Sequence, residues 1–296
     1  MLKKSKEIKG YLAAVCSAVI YGTMPLIAGY IYSDGVTPPT LVALRSLLAL
    51  PLLAAIALVK NKSIKIPLKA LPSVFLIGFF GMFLTPLLLF VSYQYIDSSV
   101  STVIHFIYPV FVATGGAIFL KEKFNIFALT GTVLCVAGIL LFYDPRLSLD
   151  ITGSIFALLS GLTMAVYALL LARFKYKDIP AATLSFYIVG IGGSCSLIYA
   201  AVMGQLALPQ TPSVWVICVA FALAVTVGAV LLFQQSVFLI GSTKASILSA
   251  LEPITSVVLG IAVLGDSVTE TKIIGTVLVI AASVVIVLSD IRKKKN

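Results

Sequence analysis

The sequence predicts an all-α integral membrane protein, ten transmembrane helices arranged as two inverted five-helix repeats. Three observations lead there. First, 60% of the residues are apolar and 11% are charged, with a mean hydropathy of +1.12. Soluble domains run nearer half apolar and a quarter charged, and a water-soluble fold of this length has too little interior to hide the surplus. Second, the apolar residues gather in ten runs, most of them close to the ~20 residues a helix needs to cross hydrocarbon. Third, the second half of the chain repeats the first.

The runs follow in order. Run 1 (10–32) comes after "KKSKEIKG"; it is too long for a signal-peptide core, and no small-residue cleavage site follows "YIYSDG", so it is expected to be an uncleaved first span. Run 2 (39–59) opens on "TPPT" and carries Arg45. Runs 3 (71–95) and 4 (99–119) each contain a proline, Pro86 and Pro109, as do runs 1 and 2 with Pro25 and Pro51. Run 5 (125–143) contains none. Runs 6 (152–172), 7 (181–203) and 8 (213–239) lead to run 9 (244–264) with Pro253, and run 10 (272–289) again lacks proline. None shows the strict alternation of a barrel strand. Proline removes an i→i−4 hydrogen bond, so runs 1, 2, 3, 4 and 9 are expected to bend. Runs 5 and 10 are expected to be straight and peripheral. Their small residues Gly131, Gly138, Gly275, Ala281 and Ala282 suit close helix packing, within a protomer or across a homodimer.

The net charge of +10 does not point to nucleic acid, because of where the charge lies. With the amino terminus in the cytoplasm, 18 Lys and Arg fall on the cytoplasmic side, Arg146 and Lys272 fall outside, and Arg45 lies within a span. This is the positive-inside pattern. It predicts a multi-pass protein of the cell (inner) membrane with both termini cytoplasmic, and "IRKKKN" at the anionic inner leaflet. Cys16, Cys135, Cys195 and Cys218 all lie within spans at no metal or redox spacing and read as packing residues. No metal or other cofactor is expected.

Residues 98–123 superpose on 242–267 at an offset of 144, aligning Pro109 with Pro253, Gly116 with Gly260 and Glu122 with Asp266; "GTVL" at 131–134 then meets "GTVL" at 275–278. An offset of 143 aligns Gly10 with Gly153 and Ser17 with Ser160. The expected division is 1–148 and 149–296. Five spans per half is odd, so the second copy must be inverted. Inverted repeats mark secondary transporters, which hold substrate between the halves near the midplane. There is no GxxxxGK[ST] phosphate loop, so transport is expected to draw on a gradient.

Few polar groups in the spans carry chemistry. In run 9, Ala245, Ser249, Glu252, Ser256 and Gly260 share one helical face; in run 4 the equivalent face is Ser101, His105, Tyr108, Val112 and Gly116. Glu252 therefore has Tyr108 as its repeat mate, and Ser249 has His105. An intramembrane carboxylate costs at least ~3 kcal/mol and must be paired, hydrated or protonated. Glu252 either braces a kinked helix or faces a cavity, where it would bind a cationic group or a proton. His105, the lone histidine, is a substrate contact or a buried imidazole bonded to a neighbouring hydroxyl. Arg45 either snorkels to the headgroups, forms an ion pair, or attracts an anionic group. Tyr21, Tyr93, Tyr167, Gln234 and Gln235 fall at interior-looking positions, where aromatic walls suit a flat substrate or an ammonium.

These residues resemble a known family. "YPVFVATGGAIFLKEK…GTVLCVAGILL" and "LEPITSVVLGIAVLGDSVTETKIIGTVLVIAAS" look like the doubled signature of the drug/metabolite transporter superfamily, EamA branch, and Arg45 looks like that family's helix-2 arginine. The chain departs from the family pattern at "YG" (21–22), in place of Trp-Gly, and at Asp266, in place of Glu. The resemblance implies carriage of small metabolites, amino acids among them, through a cavity lined by helices 1, 3, 4, 6, 8 and 9. The expectation is a non-enzymatic secondary transporter of a small polar or amphipathic metabolite, an amino acid or related compound, with export by analogy and proton coupling through Glu252. Its expected site is Glu252, His105, Tyr108, Tyr21, Arg45, Tyr167, Gln234 and Ser249, its partners a small-molecule substrate and the lipid bilayer. The rivals are an organic-cation exporter, a non-transporting membrane scaffold and, third, a membrane enzyme.

Overall fold

A computed structural model of the chain describes residues 2–61, 64–96, 98–120, 126–141, 150–174, 178–264 and 269–292. Several residues named above lie outside these, among them Glu122, Arg146 and Asp266. The described residues form helices and connecting turns and contain no strand. Ten helices can be followed: α1 (Lys6–Tyr32), α2 (Pro38–Val59), α3 (Leu68–Ser92), α4 in two pieces (Ser98–His105 and Tyr108–Phe119), α5 (Ile126–Leu140), α6 (Ile151–Arg173), α7 (Ala181–Val202), α8 (Pro212–Ile240), α9 (Ser242–Val263) and α10 (Glu270–Arg292). Seven of these helices are long and apolar enough to cross a membrane, and α4, α5 and α10 hold shorter apolar segments. The face at which α1 starts is called here the terminal face; the opposite one is the far face.

The prolines place the breaks. Helical hydrogen bonding stops at Gly22–Thr23, Leu48–Ala49 and Phe106–Ile107, two to three residues before Pro25, Pro51 and Pro109, and at Ser249–Ala250, three to four residues before Pro253. In each case the proline cannot donate to the carbonyl four residues back, and its ring crowds that carbonyl. Before Pro86 the helix widens into a π-turn over Phe79–Leu84 instead, and Thr85 Oγ1 donates to Phe80 O at 2.7 Å. Two further π-segments, Ala222–Ala229 in α8 and Gly260–Leu264 in α9, have no proline at their start. Nothing in the sequence pattern had marked them.

The breaks are where helices from opposite halves meet. A Cβ on Gly161 of α6 would lie 2.7 Å from His105 O, the carbonyl freed by Pro109. A Cβ on Gly22 of α1 would lie 2.7 Å from Glu252 O, and Ser256 Oγ donates to Gly22 O at 2.8 Å. The kinked pieces of α4 and α9 thus rest against helices thinned by glycine, the usual route to close approach where lipid offers no hydrophobic drive. α5 and α10 pack on each other, with Gly138 against the carbonyl of Gly275. That face is therefore used inside the protomer.

Candidate functional site

An open cleft of about 380 Å³ enters from the far face, lined by Pro25, Gly29 and Tyr32 of α1, Tyr93 to Ile96 at the end of α3, and Ser98 of α4. Towards the terminal face the helices pack on one another. There Ala14, Ile240 and Leu248 are buried together with Tyr11 and Leu239 packed on them.

Glu252 sits mid-way along α9 and is partly exposed, although its neighbours Ser249 and Pro253 are buried. Its side chain forms no hydrogen bond or ion pair among the described residues. Tyr21 of α1, Tyr93 of α3 and Tyr108 of α4 all lie within electrostatic range of its carboxylate. Three helices supply these tyrosines, so Glu252 points into the bundle, and Tyr93 joins it to the cleft.

Tyr108 is 1% exposed, and its hydroxyl leans towards Ser246 O at 3.4 Å and towards Ser249. Ser249, in turn, donates to Ala245 O at 3.0 Å. His105 is 6% exposed and is held from α6: its Nδ1 lies 2.7 Å from Ser160 Oγ. Because Ser160 Oγ gives its proton to Ala157 O at 2.8 Å, it receives one from His105. The neutral ring therefore carries its proton on Nδ1 and keeps Nε2 as an acceptor. Phe106 and Tyr108 flank the ring at centroid distances of 5.5 and 5.4 Å.

Arg45 neither snorkels nor pairs with an acid among the described residues. It is 3% exposed, reaches Thr226 Oγ1 of α8 with Nη1 at 3.4 Å, and lies near Tyr21 and Tyr32. Its Nε and the Tyr32 hydroxyl have no hydrogen-bond partner among the described residues. Snorkelling fails because the far-face turn of α2 is covered by α1 and by the π-segment of α8, so the guanidinium is enclosed before it can reach a headgroup.

Tyr167 and Gln234 lie apart from the cleft, in the packed region between α6, α7 and α8. The Tyr167 ring stacks on Phe233 (5.8 Å, 23°) and covers Gly81 of α3. Gln234 Nε2 donates to Ser185 Oγ at 2.8 Å, while Gln234 Oε1 and Tyr167 Oη, within range of each other, lack a well-formed hydrogen bond. The structure thus groups Glu252, Tyr108, Tyr21 and Ser249 inside the bundle, joined to the cleft through Tyr93, holds His105 beside them, and sets Tyr167 and Gln234 off the cleft lining, with Tyr167 within electrostatic range of Tyr21.

The cleft residues that sequence reading missed include Tyr32 and Gln94, and it also missed the α8 partner Thr226. Tyr32 and Gln94 sit at run ends, where an aromatic or polar residue reads as an interface anchor. Thr226 falls in an unmarked π-segment.

Known proteins agree with this architecture. A family model described as the EamA-like transporter family matches twice, at residues 8–144 and 151–288. A Salmonella typhimurium protein named "Uncharacterized inner membrane transporter YicL" is 26% identical over 97% of this chain and 98% of its own length. An Archaeoglobus fulgidus protein named "Uncharacterized transporter" is 30% identical over 131 residues, a match that spans 44% of this chain and 46% of that protein. A solved crystal structure superposes with a TM-score of 0.78 over 96% of this chain and 98% of that one at 17% identity, a likeness of fold alone.

Proposed function

The chain belongs to the EamA-like transporter family, and from that premise we propose that it exports a small amphipathic metabolite with a cationic group by alternating access. An amino acid or related compound is the leading class. Glu252 is the cation or proton site, the far face is the outside, and both termini lie in the cytoplasm. Tyr21, Tyr93 and Tyr108 surround the cationic group, His105 is an acceptor beside it, and Arg45 attracts an anionic group through its free Nε. Tyr167, Gln234 and Ser249 join the site as it opens to the other face. The functional halves are 1–148 and 149–296.

One observation carries the reading: the Glu252 carboxylate is partly exposed, has no hydrogen-bond or ion-pair partner among the described residues, and lies within electrostatic range of Tyr93, which lines the cleft. A lone carboxylate away from water costs several kcal/mol unless it is protonated or met by a cation. A transport cycle supplies both in turn, a substrate ammonium and a proton. The cleft's size suits a small metabolite.

The test is flux into proteoliposomes, with and without a pH gradient, for wild type and Glu252→Gln. The expected result is gradient-driven flux in wild type that Glu252→Gln loses or uncouples. Flux of Glu252→Gln with unchanged pH dependence would overturn the coupling role. The tyrosines around Glu252 also favour a second reading, an organic-cation exporter. Strong competition by quaternary ammoniums, with none by amino acids, would establish it instead.

A further inference from the structure

The repeat extends to the loops. "YSD" (32–34), between α1 and α2, has a counterpart in "YKD" (176–178), between α6 and α7. "PSV" opens α3 at 72–74 and α8 at 212–214, an offset of 140 that also pairs Ala70 with Gln210, Leu71 with Thr211, and Gln94 with Gln234.

These mates are not in the same state. On the far face, Asp34 Oδ2 accepts from the backbone N–H groups of Gln210 (2.6 Å) and Thr211 (3.2 Å) at the start of α8. A helix start leaves such donors unpaired, and a carboxylate there gains both their hydrogen bonds and the helix dipole. Beside it, Thr37 and Thr40 donate to Gln205 O, and Ala207 N donates to Thr40 Oγ1 at 3.1 Å. On the terminal face, Asp178 is exposed and makes no hydrogen bond or ion pair among the described residues. The start of α3 closes on itself instead in a 3₁₀ turn, with Ala70 N donating to Pro67 O at 2.8 Å.

A second pair of mates shows the same asymmetry. Gln94 is exposed and lines the far-face cleft, whereas Gln234 is fully buried against Ser185. The face that holds the cleft has its aspartate engaged, and the other has an aspartate without a partner among the described residues. When two inverted repeats exchange conformations, every contact made by one copy passes to its mate in the other.

We propose that Asp34 and Asp178 are alternating latches: Asp34 on the start of α8 holds the form open at the far face, and Asp178 on the start of α3 holds the form open at the terminal face. The inference rests on the alternating-access reading above and adds the groups that set its balance. In the second form, Asp178 takes the backbone N–H groups of Ala70 and Leu71, and the 3₁₀ turn at Leu68–Ala70 opens to release them.

The test uses the full chain in lipid vesicles, with Cys16, Cys135, Cys195 and Cys218 replaced by Ser or Ala. Single reporters, Gln94→Cys and Gln234→Cys, are labelled with a membrane-impermeant maleimide from each side. Asp34→Ala is expected to slow labelling at 94 from the far side and speed labelling at 234 from the terminal side, by about tenfold. Asp178→Ala is expected to act in the opposite direction, and the double variant to return towards the starting ratio. Asp34→Asn, which keeps an acceptor oxygen, is expected to fall between Ala and wild type, which separates a latch from a folding defect. If the variants leave both rates unchanged, or shift them in the same direction, while the reporter proteins with both aspartates intact are labelled and wild type shows flux, the latch fails and alternating access stands. If position 234 is never labelled in any variant, with or without substrate, both proposals fall.

Discussion

Ser160 joins two jobs in one hydroxyl. It gives its proton to Ala157 O and accepts from His105 Nδ1 across the α4–α6 contact. Replacing it by alanine would leave a buried N–H unpaired, a loss of about 1–3 kcal/mol. Ser160→Ala is therefore expected to lower the thermal-unfolding midpoint in detergent; an unchanged midpoint would mean that His105 finds another acceptor. Glu252 is the opposite case. Because nothing among the described residues pairs with it, Glu252→Gln is expected to keep or raise that midpoint while transport fails. Loss of both together would make Glu252 a brace rather than a site. The sequence singled out His105 and Glu252 as rare intramembrane polar residues, yet its spacing held no sign of Ser160 as a partner, 55 positions away. Arg45 was equally visible, but its enclosure by α1 and α8 was not, since that depends on helices distant in the chain.

Among the elements, the broken helices depend on glycines opposite the breaks. A methyl group on Gly161 would meet the freed carbonyl of His105, and one on Gly22 the carbonyl of Glu252, both at 2.7 Å. Backbone there has little room to retreat. Gly161→Ala and Gly22→Ala are each expected to cost about 1–3 kcal/mol by overpacking, read as lost thermal stability or as lost flux at normal expression. Gly190→Ala is the control. Its nearest neighbour is the flexible end of Leu50 at 3.5 Å, and alanine is the better helix former by up to ~1 kcal/mol. It is expected to be neutral or stabilising, and equal damage at all three sites would argue against specific contacts at the breaks. Four proline breaks were legible in the chain, because proline acts through its own ring and missing N–H. The π-segments of α8 and α9 were not, because without a proline nothing local marks where a helix widens.

For the whole molecule, the proposed ten crossings would put both ends on one side. Fluorescent fusions at either terminus are expected to report the cytoplasm, and signals from opposite sides would remove the inverted-repeat argument entirely. The α5–α10 packing at Gly138 and Gly275 occupies the small-residue face that a homodimer would have used. A second copy would have to find another surface. Composition, run lengths and the internal repeat determined, from sequence alone, that the chain is a helical membrane protein with two related halves. Each of those is a property of a segment read by itself or against its copy: hydropathy sets the solvent, and likeness sets the symmetry. The direction in which the cleft opens, the isolation of Glu252, the enclosure of Arg45 and the unequal states of Asp34 and Asp178 were decided only by tertiary structure. They depend on distances between helices of opposite halves, and a repeat that makes the two halves alike cannot say which of them is open.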